Sequence, residues 1–148
     1  MATVVVGWGG TWTDINEATR DDSDFIISHI LPLEETTIAT FEAGLTTITD
    51  PTTSLGHVLN YAYKKNANAG RTLALQVELI ENVTTRATRT HTNISSNWRE
   101  RNETLTATEA DSITDYADLR MKFTFTVSGT GTARSGLVSW ANLEAPVP

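Results

Sequence analysis

No cysteine occurs in the chain. Its absence excludes a disulfide framework, thiol chemistry and cysteine-bound zinc. It also leans away from a large secreted eukaryotic domain, where disulfides are common. No apolar run approaches the ~18 residues that a membrane helix needs. The start, MATVVVGWGG, lacks a basic region and a long apolar stretch, and is expected to be a mature N-terminus rather than a signal peptide. Positive charge is scarce: 11 Lys and Arg against 18 Asp and Glu give a formal net charge of -7 and a pI of about 4.8. That balance argues against phosphate binding as the main role, so neither nucleic acid nor a membrane surface is expected as a partner. Catalytic patterns are missing as well. His29, His57 and His91 form no H-x-H or H-E-x-x-H motif, and there is no G-x-S-x-G elbow. Gly7–Gly10, GWGG, is followed by no helical pattern that would cradle phosphate.

What is present points to β-structure. Threonine is the commonest residue, and its β-branch favours a pleated, half-exposed surface. A chain of 148 residues is one domain, 1–148, and can bury roughly 70% of the surface its unfolded chain exposes. Turn signals recur every ten or so residues and predict an antiparallel β-sandwich or jelly roll of eight or nine strands.

Thr3 to Trp8 is the first predicted strand. Phe25 to Leu31, FIISHIL, is apolar on both faces, hence central, and ends at Pro32. Thr36 to Leu45 alternates weakly, with Ile38 and Phe41 out of phase, as a bulge would give. Thr49 to Ser54 is a turn built on Asp50-Pro51. His57 to Lys64 places Leu59, Tyr61 and Tyr63 on one face. Leu73, Leu75, Val77 and Leu79 alternate in the next strand, and Asn82 turns the chain into Thr84–Asn93. That segment is polar on both faces, which suits an edge or an interface; Arg86 and Arg89 fall on opposite faces if it is regular. Ser95–Ala107 brings Trp98. Thr108, Glu109 and Asp111 resemble a helix start, worth one or two turns. Leu119 to Ser128 is the clearest strand, with Leu119, Met121, Phe123, Phe125 and Val127 inward. Gly129–Gly136 reads as a hairpin loop into a last strand, Leu137–Leu143.

Charge is uneven along the chain. Residues 1–50 hold nine acids and one base, Arg20, whereas 64–101 hold seven bases against three acids. Such polarity suits an acidic patch on one copy facing a basic patch on the next; charge balance within one chain is the alternative. Asp14, Glu17, Asp21, Asp22 and Asp24 crowd the segment before Phe25. Asp21, Asp22 and Asp24 could offer oxygens to Ca²⁺, but the spacing is not that of an EF-hand, and solvated turn and capping residues explain them better. Trp8, Trp12, Trp98 and Trp140 either seal a core or interface or stack on sugar rings. Trp140 is expected to be buried, and Trp12 and Trp98 to be the surface candidates. The interface candidates are therefore Trp12, Asp14, Glu17, Asp21, Asp22, Asp24, Arg86, Arg89, Trp98, Arg99 and Arg101. No catalytic, cofactor or metal residue stands out, and neither enzymatic activity nor a cofactor is expected.

Two stretches carry a resemblance. Trp12, Asp14-Ile15-Asn16-Glu17 and Asp22-Ser23-Asp24-Phe25-Ile26 form one; Asp115-Tyr116, Leu119, Val138-Ser139-Trp140, Leu143-Glu144 and Pro146 form the other. Together the chain resembles small all-β virion proteins of tailed phages. Asn16 stands where that pattern often has Asp. The resemblance implies a capsid decoration protein, located on the virion surface after synthesis in the host cytoplasm. It would bind the major capsid protein and its own copies, as a trimer, without chemistry. The alternative reading is a carbohydrate-binding or tail-fibre module of a phage or prokaryotic surface protein.

Overall fold

The computed structural model describes residues 8–32 and 36–147. Eight strands form two four-stranded antiparallel sheets: β1 (Ile26–Ile27), β2 (Ile38–Gly44), β3 (Val58–Lys65), β4 (Thr72–Glu81), β5 (Thr84–His91), β6 (Arg99–Thr104), β7 (Leu119–Ser128) and β8 (Gly136–Glu144). A short helix, α1 (Ala107–Asp111), lies between β6 and β7. One sheet has the order β1-β8-β3-β6 and the other β2-β7-β4-β5. The pairs are thus nested: first with last, second with seventh, third with sixth, fourth with fifth. This is the jelly-roll arrangement, in which alternate pairs fall in alternate sheets. The expected fold class is therefore observed.

Period-2 alternation builds the core. Leu73, Leu75, Val77 and Leu79 of β4 and Phe123 and Phe125 of β7 are fully buried, and face Leu59, Tyr61 and Tyr63 of β3. Trp8 closes one end, its ring 5.5 Å from Phe41 and 6.0 Å from Phe125. Gly136 leaves room there: a Cβ at this position would lie 2.5 Å from the Phe125 ring.

Several sequence expectations need correction. Among the described residues Phe25–Leu31 is not flanked by a full strand on both sides. Its ladder is only Ile26–Ile27, at the end of its sheet beside β8, with Gly9 bridged to Ile27 on the far side. Ile30 is 55% exposed, so the continuous apolar run did not mean burial on both faces. The proposed first strand, Thr3 to Trp8, lies outside the described residues except for Trp8. β2 has no bulge; Ile38 simply faces outward while Ala39, Phe41 and Ala43 face in. Bulges occur instead between Ala62 and Tyr63 against β8 and between Leu79 and Ile80 against β5. The second one breaks the regular alternation of β5. Arg86 consequently reaches Glu81, whose register partner is the core residue Leu119, and Arg89 lies opposite the buried Val77. Both arginines sit on the side that faces the other sheet.

The strand expected over Ser95–Ala107 is ordered as a ladder only from Arg99 to Thr104. The helix starts two residues earlier than expected, because Thr106 and Glu109 make a reciprocal capping box: Thr106 accepts from the Glu109 N–H, and Glu109 accepts from the Thr106 N–H. Gly129–Gly136 is not a hairpin loop. It is a crossover, since β7 belongs to one sheet and β8 to the other. The true hairpin is β4–β5, closed by Asn82 and Val83, with Asn82 in the left-handed region at φ 54°.

Candidate functional site: a polar cleft between two edge strands

The nested order puts β6 at the edge of one sheet and β5 at the same flank of the other. Between them the sandwich is open. The positions of β6 that face inward are Arg99, Arg101 and Glu103, opposite Tyr63, Tyr61 and Leu59 on β3. A strand that presents charges toward the core side cannot be sealed by apolar packing. It leaves a cleft of about 350 Å³, lined by Tyr63, Thr90, His91, Asn93, Arg99 and Arg101, with Thr92, Ile94 and Ser95 completing the wall. The segment after β5 crosses from one sheet to the other to form that wall. Ile94 N–H donates to Leu73 C=O at 2.9 Å, and Lys65 N–H donates to Ser95 C=O at 2.9 Å. Asn93, at φ 50°, makes the bend.

The back of the cleft is aromatic. His91 stacks on Tyr63 with ring centroids 4.8 Å apart and planes 25° from parallel. His91 Nε2 is 2.7 Å from Tyr61 Oη. Burial, with Arg101 nearby, pushes the His91 pKa below the usual histidine value, so the ring is neutral at pH 7. Burial pushes the Tyr61 hydroxyl up, so it keeps its proton and can donate to a neutral Nε2. The Tyr63 hydroxyl beside Arg101 strengthens the protonation of that guanidinium.

Deeper along the same flank, Arg89 is bidentate to Glu109 at 2.8 and 3.0 Å, donates to Thr104 C=O at 3.1 Å, and stands 3.9 Å from Glu103. This network ties β5, β6 and α1 together. The Arg89 guanidinium, with further hydrogen bonds from Thr106, holds the Glu109 carboxyl well below the usual range, at about 2.

The acidic segment takes a different place. It crosses the outer face of the sheet β1-β8-β3-β6 as a strap. Trp140 Nε1 donates to Glu17 C=O at 3.0 Å, and Ser139 Oγ donates to Asp22 Oδ1 at 2.7 Å. Arg20 bonds Asp22 (Nε–Oδ1 2.7 Å) and reaches Glu100 on β6 at 2.9 Å. Asn60, Ala62, Ser139 and Trp140 are consequently buried although they point away from the core. On the same face, Asn142, Asn60 and Asn102 are linked by side-chain hydrogen bonds of 2.9 and 2.7 Å across β8, β3 and β6.

The sequence-derived candidates therefore divide into groups. Arg99 and Arg101 line the cleft. Arg86 and Arg89 are engaged by Glu81, Glu103 and Glu109. Asp14 caps its own turn by accepting from Thr11 N–H at 2.6 Å, and Asp21 accepts from Ser23 N–H at 2.8 Å. Glu17 and Asp22 anchor the strap; Asp24 is exposed. Trp98 is half-buried, 6.3 Å from the Phe25 ring, with Lys64 Nζ 4.5 Å above its own. The Trp12 side chain falls outside what the structure describes. Among the described residues no three His, Asp or Glu side chains converge on one point. Sequence reasoning missed His91 as a cleft residue. Its partner Tyr63 lies on a strand of the opposite sheet, and only the inward-facing charges of β6 hinted at an unsealed flank. A second hollow, of about 440 Å³, is lined by Asp50, Thr52, Thr53, Ser54, Asp111 and Tyr116. It lacks a base.

In sequence the chain matches no protein-family model and no curated protein. Its fold has solved counterparts. A structure described as CBM4 aligns with TM-score 0.50 and 15% identity, over 95% of this chain and 95% of that one. A carbohydrate-binding module specific for non-crystalline cellulose, CBM28, aligns with TM-score 0.53 and 12% identity, over 94% of this chain and 87% of that one. At such identities the likeness is one of fold. It nevertheless overturns the expectation of a capsid decoration protein, because these neighbours are carbohydrate-binding modules and not virion components.

Proposed function

We propose that the chain is a non-catalytic carbohydrate-binding module that holds a glycan in the cleft between β5 and β6. The observation that carries this reading is the cleft's make-up. Hydroxyls and an amide (Thr90, Thr92, Asn93, Ser95) and two guanidinium groups surround a stacked His91–Tyr63 pair. Sugars present an apolar C–H face and a rim of hydroxyls. An aromatic ring answers the first and a fork of N–H donors the second. The jelly-roll fold, shared with two carbohydrate-binding modules, supports the reading. The cleft is open and mostly polar, so the affinity expected is weak, on the order of micromolar to millimolar.

Affinity electrophoresis and titration calorimetry against a panel of neutral and charged soluble glycans test this. At least one glycan should retard the protein, and His91→Ala should abolish the retardation while the circular-dichroism spectrum stays unchanged. Asp111→Ala, in the second hollow, should bind normally. If the intact protein binds nothing on the panel, or if Asp111→Ala rather than His91→Ala loses binding, the cleft is not a glycan site.

A further inference from the structure

We infer that the glycan recognised in this cleft is acidic, carrying carboxylates such as those of uronic acid residues; this rests on the carbohydrate-binding reading above. The chain as a whole is acidic, yet the cleft lining contains Arg99 and Arg101 and not one Asp or Glu. The carboxylates nearest to it are already engaged. Glu109 is held by Arg89, Glu103 is shared between Arg89 and Arg101, and Glu100 points to the other face, where Arg20 holds it. Arg99 and Arg101 are both exposed, and among the described residues neither forms a salt bridge. They lie two residues apart on one face of β6, roughly 6.6 Å along the strand.

A planar guanidinium matches a carboxylate with two parallel N–H···O bonds, a geometry that neutral hydroxyls cannot use fully. Glu103 offsets part of the Arg101 charge, and a ligand carboxylate would offset the remainder. The hydroxyls and amide of Thr90, Thr92, Asn93 and Ser95 supply partners for sugar hydroxyls, which a bare anion does not have. His91 is held neutral, so the positive field comes from the two arginines and not from a titrating ring. The chain carries a formal net charge of -7, so attraction of a polyanion is local to the cleft and sensitive to salt.

The experiment compares four polymers by titration calorimetry with the intact chain: polygalacturonate, its fully methyl-esterified form, dextran sulfate and a neutral soluble cellulose derivative. Polygalacturonate should bind, and esterification should weaken it by about tenfold or more, the worth of a charge-assisted bond. Arg99→Gln and Arg101→Gln should each weaken it by a similar factor, with thermal melts confirming that both fold. Arg101→Lys should recover only part of the loss, because charge returns without the fork. Lys122→Gln, on the outer face of the other sheet, should leave binding unchanged. If the neutral polymer binds equally well and the arginine variants are silent, the acidic-glycan inference is wrong while the carbohydrate reading stands. If dextran sulfate binds as tightly as polygalacturonate, the carboxylate assignment is wrong. If none of the four binds and the wider glycan panel is also silent, both fail together.

Discussion

His91 on β5 and Tyr63 on β3 lie face to face across the gap between the two sheets, 4.8 Å apart, although 28 residues separate them in sequence. This contact, with the 2.7 Å hydrogen bond between Tyr61 Oη and His91 Nε2, joins the sheets at a flank that apolar packing leaves open.

The contact predicts a pH dependence. Burial lowers the pKa of His91, and also that of His57, whose Nε2 is 2.7 Å from Tyr116 Oη. A base whose folded pKa is depressed adds stability above its unfolded value near 6.5. That stability is lost as pH falls through the folded value. The melting temperature should thus be highest at neutral pH and decline from about pH 6.5 toward 5. His91→Phe keeps a ring against Tyr63 but cannot titrate. It should flatten part of that decline while leaving the Tyr61 hydroxyl unpaired, at a cost of about 1–2 kcal/mol at pH 7.5. Melts at pH 7.5, 6.5 and 5.5 check both effects.

A second acid transition belongs to Glu109. Its pKa of about 2, against an unfolded value near 4.5, means that the Arg89–Glu109 bonds are intact above pH 4.5 and lost progressively below it. Glu109→Gln should cost about 1–2 kcal/mol at pH 7 and should remove the step between pH 4.5 and 2. Urea titrations at pH 7 and pH 3 measure this; an unchanged difference between wild type and variant at the two pH values would sink the assignment.

The strap predicts a local effect. Asp22 accepts from both Arg20 and Ser139, so Asp22→Ala cuts one of the ties to β8 and weakens the tie to β6. Global stability should fall by only about 1 kcal/mol. Amide exchange over residues 15–24 should accelerate, and Trp140 fluorescence should shift to the red as its ring meets water.

Packing at Gly136 gives the sharpest stability test. An added methyl would sit 2.5 Å from the Phe125 ring, which the surrounding core holds in place. Gly136→Ala should destabilise by about 1–3 kcal/mol, read from urea unfolding. Gly129→Ala, with nothing within 4 Å of its Cβ position, meets no such clash, and only its backbone at φ 77° opposes the change.

How far the sequence reached can be judged from two strands. In β7 the alternation of Leu119, Met121, Phe123, Phe125 and Val127 with polar neighbours was legible, since burial of one face writes itself into every second residue. The route from β7 to β8 was not. GTGTARSG has the glycines of a hairpin, but Leu137 pairs with Lys64 on the other sheet, and local turn chemistry does not encode the partner of a strand. The acidic segment was legible as acidic and as a lead-in to Ile26. Its path over Trp140 was not, because nothing local marks the outside of β8 as a surface to be covered. Likewise Arg99 and Arg101 could be named, but their cleft arises only when β5 and β6 end up on the same flank.

The inward charges of β6 have one more consequence. An edge strand with free main-chain groups invites a second molecule to add its own strand, the first step toward fibrous aggregation. Any strand laid against β6 would have to bury Arg99, Arg101 and Glu103 beside it without new partners. The residues that open this flank therefore also guard it, and replacing them with apolar side chains would trade a soluble edge for a template.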